Sequence, residues 1–222
     1  RDAVAMKAGQ YLLCDAYPDR FLLALGVSHR PSVAQRGGTY VRPLEAMSDY
    51  LDAMDAAPYN SPHPAAAPRI IGALHPRMLE LAGRRTQGAH PYFVPVEHTV
   101  DARARLGAGA LLAPELAVVL ETDPARARDL ARRHTRYYLE LDNYRRNLLR
   151  LPAGLAEADL EGAGSDRLVD SVVAWGDVAA IRSRVQEHLD AGASHVAVQA
   201  LAADDSSPLA VLRELAPALR DI

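Results

Sequence analysis

The 222 residues are 49% apolar and 24% charged, enough chain for one substantial domain with a buried core and the balance of an ordinary globular protein. A net charge of −3 and a pI near 6.3 argue against a general nucleic-acid binder, and no apolar run approaches the ~20 residues of a membrane span. The chain opens on Arg1-Asp2, without the basic start and apolar stretch of a secretory signal. The single cysteine, Cys14, can form no internal disulfide and fits a reducing cytoplasm. It lies in a helical pattern, as a buried inert thiol does. Lys7 is the only lysine, and the arginine-rich remainder reads as a compositional bias without mechanistic content.

Strand-like apolar runs alternate with amphipathic stretches along the chain. Phe21 to Val27 (FLLALGV) reads as a strand buried on both faces. Leu44, Met47, Leu51 and Met54 then fall at helical spacing. Arg69 to Leu74 (RIIGAL) is a second strand, followed by His75-Pro76 and a helix carrying Leu79 and Ala82. Ala89 to Val94 (AHPYFV) is a weaker third, since Pro91 lacks a ladder donor. Leu111 to Leu120 (LLAPELAVVL) is a fourth, and Asp123-Pro124 opens a helix after it. A helical run over Asp166 to Ala174 precedes a helix marked by Val178, Ile181, Val185 and Leu189, which Gly192 ends. His195 to Leu201 (HVAVQAL) is the fifth strand, and Ser207-Pro208 opens the last helix. A capping residue followed by proline suits a helix start, because proline's missing N–H costs nothing there.

This alternation predicts parallel strands with helical crossovers, an α/β fold. Two long loops interrupt it, over 31–43 with Gly37-Gly38 and over the proline-rich 56–68. A Gly- and Ala-containing connector runs over 151–164. No solenoid repeat and no domain linker is visible, so 1–222 reads as a single domain.

In parallel α/β folds ligands gather at the C-terminal ends of strands. Ser28, His29 and Arg30 follow the first strand. His75 and Arg77 follow the second, at a helix N-terminus whose free N–H groups suit an anion. The alternative for His75 is a plain helix cap. His90, Tyr92, Glu97 and His98 surround the third. His29, His75 and His90 are the histidines placed for proton transfer, whereas His134 and His188 read as helix-borne bystanders and His195 opens its strand at the structural end. No HxH, HExxH or cysteine pair occurs, so no metal site is expected. No GxSxG and no strand-following GxGxxG occurs either.

The segments FLLALGVSHRP, PLEAMSDYLDAMD, ALHPRMLELAGRRTQGAHPYFVPVEHT, LLAPELAVVLETDPARAR, GSDRLVDSVVAWGD and LDAGASHVAVQAL together resemble the luciferase-like oxidoreductases that use coenzyme F420. HPRMLELA followed by GAHPYFVPVEHT is specific to one subgroup. The resemblance implies a (β/α)8 barrel whose fourth to eighth strands are the five read above. On this resemblance the first three β/α units, which in the family carry a bulged strand and further acid/base residues, are missing from this chain. It implies a deazaflavin held by Gly26, Val27, Ser28 and His29 and by Gly72, Ala73, Leu74 and His75. The last two stand where many relatives have paired glycines. His29 is implied in catalysis, and His90, Tyr92 and Glu97 in the wall of the substrate pocket. A cytoplasmic homo-oligomer, a dimer, acting on a small organic molecule is expected, with no nucleic acid or membrane partner. Two alternatives stand beside a hydride-transferring oxidoreductase. One is an FMN-dependent monooxygenase of the same superfamily; the other is a non-catalytic cofactor-binding remnant.

Overall fold

The computed structural model describes residues 1–202, 207–220 and 222. They fall into two compact units, Arg1–His90 and Pro91–Ile222.

The first unit runs α1 (Ala3–Ala16), β1 (Leu23–Leu25), α2 (Arg30–Gln35), α3 (Pro43–Ala56), β2 (Arg69–Ile71), α4 (Pro76–Arg85) and β3 (Gly88–Ala89). The strands pair in parallel, with Leu25 opposite Ile71 and Ile71 opposite Ala89. Leu51, Ile71, Leu79 and Ala82 are fully buried, so the helical spacing of α3 and α4 does point apolar residues inward. The 31–43 segment is not all loop: α2 forms over its first part, with Pro31 in the first turn where no N–H is needed.

Helix α1 inverts the usual pattern. It buries Lys7, Gln10 and Cys14, while Val4, Leu12, Leu13 and Tyr17 are exposed. The buried polar groups have work to do in the 56–68 segment, which has no ladder to satisfy its carbonyls. Lys7 Nζ donates to Asp55 O (3.1 Å) and Ala57 O (2.7 Å), and Gln10 Nε2 donates to Ala67 O (2.8 Å) and Pro68 O (3.1 Å). The lone lysine is therefore a structural residue.

The second unit runs α5 (Val96–Leu106), β4 (Leu111–Leu112), β5 (Glu115–Leu120), α6 (Pro124–Leu139), α7 (Asp142–Arg150), a 3₁₀ turn (Glu157–Leu160), α8 (Asp166–Val172), β6 (Val173–Gly176), α9 (Val178–Asp190), β7 (Ala197–Ala200) and α10 (Leu209–Leu219). The apolar run expected as one strand is divided at Ala113-Pro114 into β4 and β5, as a proline without a donor requires. Strand β5 is central, with β6 and β7 parallel on either side. Five of its six residues are buried, which explains the unbroken apolar pattern. Helices α9 and α10 seal one face through Ile181, Val185 and Leu215 against Leu116 and Val118.

The expected helix over 166–174 stops at Val172, and Val173–Gly176 is strand β6. Two consecutive valines before Ala-Trp-Gly favour an extended backbone, and pairing with β5 satisfies it. Asp123, Ser165 and Asp177 cap their helices through side-chain oxygens. The last helix begins at Leu209, one residue past Pro208. No helix among the described residues is long and apolar enough to cross a membrane.

Candidate functional site

In the first unit the ends of β1 and β2 lie side by side, because Gly72 N–H donates to Leu25 O at 2.7 Å. That single bond brings Gly26 to Ser28 alongside Gly72 to Leu74. His90 joins the same strand end, its N–H donating to Ile71 O at 3.0 Å. Ser28 has φ +62, so the chain turns sharply after β1. Its hydroxyl accepts from Arg36 Nη2 at 2.7 Å. His29 then stands at the N-cap of α2 without capping it through its side chain. His75 likewise stands at the N-cap of α4, with no side-chain capping bond. His75 O takes the N–H groups of Met78 and Leu79.

A cavity of about 350 Å³ opens beside the end of β1. Leu25, Gly26, Val27, Tyr40, Met47 and Tyr50 are among its lining residues. Of the eight residues expected at a cofactor, Gly26 and Val27 line it. A Cβ on Gly26 would meet nothing within 4 Å, which leaves bare backbone open to a flat ring. Arg30 lies over the Tyr40 ring, 5.8 Å from its centroid. Apolar walls, an uncovered glycine and a nearby guanidinium fit a planar ring system with an anionic side chain.

The second unit holds a different constellation. Tyr92 lies in the turn from Pro91 to Pro95, where Phe93, almost fully buried, adopts φ +55. A bulky residue in the left-handed region costs about 1–3 kcal/mol and persists only where its surroundings impose it. Glu115 imposes it from two sides: its N–H donates to Pro91 O at 2.9 Å, and its Oε2 accepts the Phe93 N–H at 3.2 Å. Tyr92 in turn donates to Gln199 Oε1 at 2.5 Å and accepts from the Tyr138 hydroxyl at 3.1 Å. The relay therefore runs from Tyr138 to Tyr92 to Gln199. His134, Phe93, Tyr138 and Tyr144 pack around it, with Phe93 stacked on Tyr138 at 5.0 Å.

Burial governs the charges in this cluster. It pushes the Glu115 carboxyl up to about 7, against a weaker opposing pull from the Phe93 N–H. The Tyr92 phenol is raised far above the usual range, first by burial and then by its bond from Tyr138. Burial lowers His134 to about 4, so the ring is neutral at physiological pH. A buried carboxyl raised to about 7 beside phenols is the kind of perturbed group that clusters at active sites.

Glu97 is not part of this constellation. It is exposed on α5 and lines a groove with Asp101, Arg105 and Arg150. Sequence reasoning missed Glu115, Tyr138 and Gln199. One signal was available: Glu115 is the only charged residue inside the apolar run LLAPELAVVL. Of the two helix-borne histidines read as bystanders, His134 is half-buried, whereas His188 is fully buried and bonds Thr99 through Nδ1 at 2.8 Å. Among the described residues no group of three or more His, Cys, Asp or Glu is placed to hold a metal.

The fold recurs in solved structures. An F420-dependent secondary alcohol dehydrogenase in complex with an F420-acetone adduct superposes with a TM-score of 0.72 at 14% identity, over 99% of this chain and 76% of that one. A coenzyme F420 dependent tetrahydromethanopterin reductase from Methanopyrus kandleri gives 0.69 at 14% identity, over 99% and 80%. The oxygenating constituent of 3,6-diketocamphane monooxygenase from Pseudomonas putida, a type II Baeyer-Villiger monooxygenase in complex with FMN, gives 0.59 at 14% identity, over 98% and 76%. No curated protein sequence matches the chain. The family model for luciferase-like monooxygenases matches residues 3–195, and with the parallel α/β fold in place the chain belongs to that enzyme family.

Proposed function

We propose that this protein is a deazaflavin-dependent oxidoreductase that transfers a hydride between coenzyme F420 and a small organic substrate. The observation that carries the reading is the pairing of the β1 and β2 ends around bare Gly26, beside a cavity whose lining Tyr40 ring lies under the Arg30 guanidinium. The subgroup-specific segments HPRMLELA and GAHPYFVPVEHT, and the F420 ligand of one similar structure, support it.

In this reading Gly26, Val27, Ser28 and His29, with Gly72, Ala73, Leu74 and His75, hold the deazaflavin. When bound, that group supplies the hydride chemistry, and the protein supplies orientation and proton donors. His29 serves as the proton donor or acceptor for the substrate. His90 and Tyr92 bear on the substrate, and Glu97 is kept as a proposed wall residue of lesser weight because it lies on an exposed helix face. The FMN-bound monooxygenase with the same fold favours a second reading, an FMN-dependent monooxygenase. Fluorescence titration with F420 and with FMN separates them: the proposal expects tighter F420 binding, and tighter FMN binding overturns it. Normal F420 affinity with no turnover on any hydride acceptor would mark a non-catalytic member.

The assembly expected is a homodimer. The exposed face of α1 carries Val4, Leu12, Leu13 and Tyr17 and little charge, as a two-fold contact between like surfaces requires. Light scattering reads the mass directly, and a monomer at micromolar concentration contradicts this part.

A further inference from the structure

Glu115 opens the central strand of the second unit, yet one of its carboxyl oxygens, Oε1, is buried with no hydrogen-bond partner among the described residues. A carboxyl in such a place is costly, and a leucine would fill the space without that cost. Its geometry shows what the carboxyl does. Strand β5 pairs with β7 so that Glu115 lies opposite Ala197 and Ala117 opposite Gln199. Side chains alternate along a strand, so Glu115 and Gln199 face the same side of the sheet, two residues apart. Tyr92 spans this distance: its hydroxyl bonds Gln199 while its neighbour Phe93 is bonded to Glu115.

We propose that Glu115 is the positioning residue of this cluster: by gripping the Pro91–Pro95 turn through both its main chain and its carboxyl, it holds Phe93 left-handed and so aims the Tyr92 hydroxyl at Gln199. Without the carboxyl, Phe93 N–H loses its buried acceptor and nothing in the cluster opposes relaxation of its φ to negative values. Such a relaxation rotates the turn and takes Tyr92 off Gln199. Ionisation of Glu115 acts on the same grip, since it places a charge beside two phenols. The titratable neighbours of the turn are Tyr92 itself, Tyr138 and His134 from α6, and Tyr144 from α7; β7 contributes neutral Gln199. The consequence for turnover rests on the reading that Tyr92 bears on the substrate, whereas the consequence for the turn does not.

The test uses the protein without cofactor, comparing near-UV circular dichroism of the wild type with that of Glu115→Gln, Glu115→Leu and, as the reference for the Tyr92 contribution, Tyr92→Phe. Glutamine keeps an oxygen for the Phe93 N–H, so Glu115→Gln is expected to retain the tyrosine band, and to retain it unchanged from pH 5.5 to 8.5. The wild-type band is expected to change as pH rises through about 7. Glu115→Leu is expected to lose the same band that Tyr92→Phe loses. A native band in Glu115→Leu, or a lost band in Glu115→Gln, overturns the proposal. Should Glu115→Leu fail to fold, the pH series decides: identical profiles for wild type and Glu115→Gln overturn it, and a flat profile only in the variant sustains it. F420 titration of the same samples is read separately. Failure of wild type to bind F420 sinks the functional reading and leaves the tyrosine result standing.

Discussion

At the scale of single residues, His29 remains the proposed acid or base, while His134 takes a packing role. His29 stands in a sharp turn after β1, next to Ser28 at φ +62, and its side chain is not consumed by capping. In the F420-loaded protein, His29→Ala is expected to lower turnover by ~100-fold, the usual range for a positioned acid or base. Steady-state kinetics check this, and a rate within a few-fold of wild type would leave His29 a loop residue. His134 is a packing residue in the aromatic cluster with Phe93 and Tyr138. His134→Ala leaves a cavity there and is expected to cost about 2 kcal/mol, read as a lowered urea midpoint.

At the scale of elements, α1 shows how a helix with a modest apolar face can be anchored by polar groups. Lys7 reaches the Asp55 carbonyl in the last turn of α3 and the Ala57 carbonyl just after it. Lys7→Met keeps the stem but leaves those carbonyls bare, and is expected to cost roughly 2–3 kcal/mol by denaturant unfolding. Gln10→Leu is expected to act in the same direction. Helix α6 gives a milder case. Asp123 accepts the Arg126 N–H at 2.9 Å as its N-cap, and Asp123→Ala is expected to cost about 1 kcal/mol. These elements were legible in the sequence where cap, proline and apolar spacing agree, as at Asp123-Pro124. They were not legible in Val173–Gly176, where four residues are strand only because β5 offers them a ladder.

At the scale of the whole molecule, three groups with shifted pKa values, buried Glu115 and His188 and half-buried His134, set how stability depends on pH. His134 and His188 are both lowered to about 4, chiefly by burial, with the Arg184 and His98 charges adding to it at His188. Their folded values lie below the unfolded 6.5, so stability is fully present above pH 6.5 and falls as pH drops toward 4. Glu115 works in the opposite sense: its folded value of about 7 lies above the unfolded 4.5. Its contribution is fully present below pH 4.5 and is lost as pH rises through 7. Between about pH 4.5 and 6.5 the unfolded chain therefore binds two of these protons and the folded chain one. Unfolding free energy should rise with pH there by about 1 kcal/mol per unit and peak near neutrality. Glu115→Gln removes the opposing group, so the acid slope should about double and the loss above pH 6.5 should disappear. Chemical denaturation at a series of pH values measures both slopes, and an unchanged acid slope in the variant would contradict the assignment.

The sequence by itself determined the alternation of strands and helices, their parallel sense and the family, because repeated short-range signals carry them. Apolar spacing, a cap before proline and glycine after a helix each act within a turn or two of chain. Strand ends also marked Ser28, His29 and His75, whereas Gly26, Val27 and Gly72 to Leu74 came in through the family resemblance. The tertiary structure alone decided the rest. Glu115 and Phe93 are 22 positions apart, and Tyr92 and Gln199 are 107 apart. No local pattern relates them. Only the pairing of β5 with β7 puts Glu115 and Gln199 on one sheet face, and the removal of water, first among the causes, makes that carboxyl and the Tyr92 phenol weaker acids. The lone charge in an apolar strand was visible as an anomaly in the sequence, and its meaning came from the turn it holds.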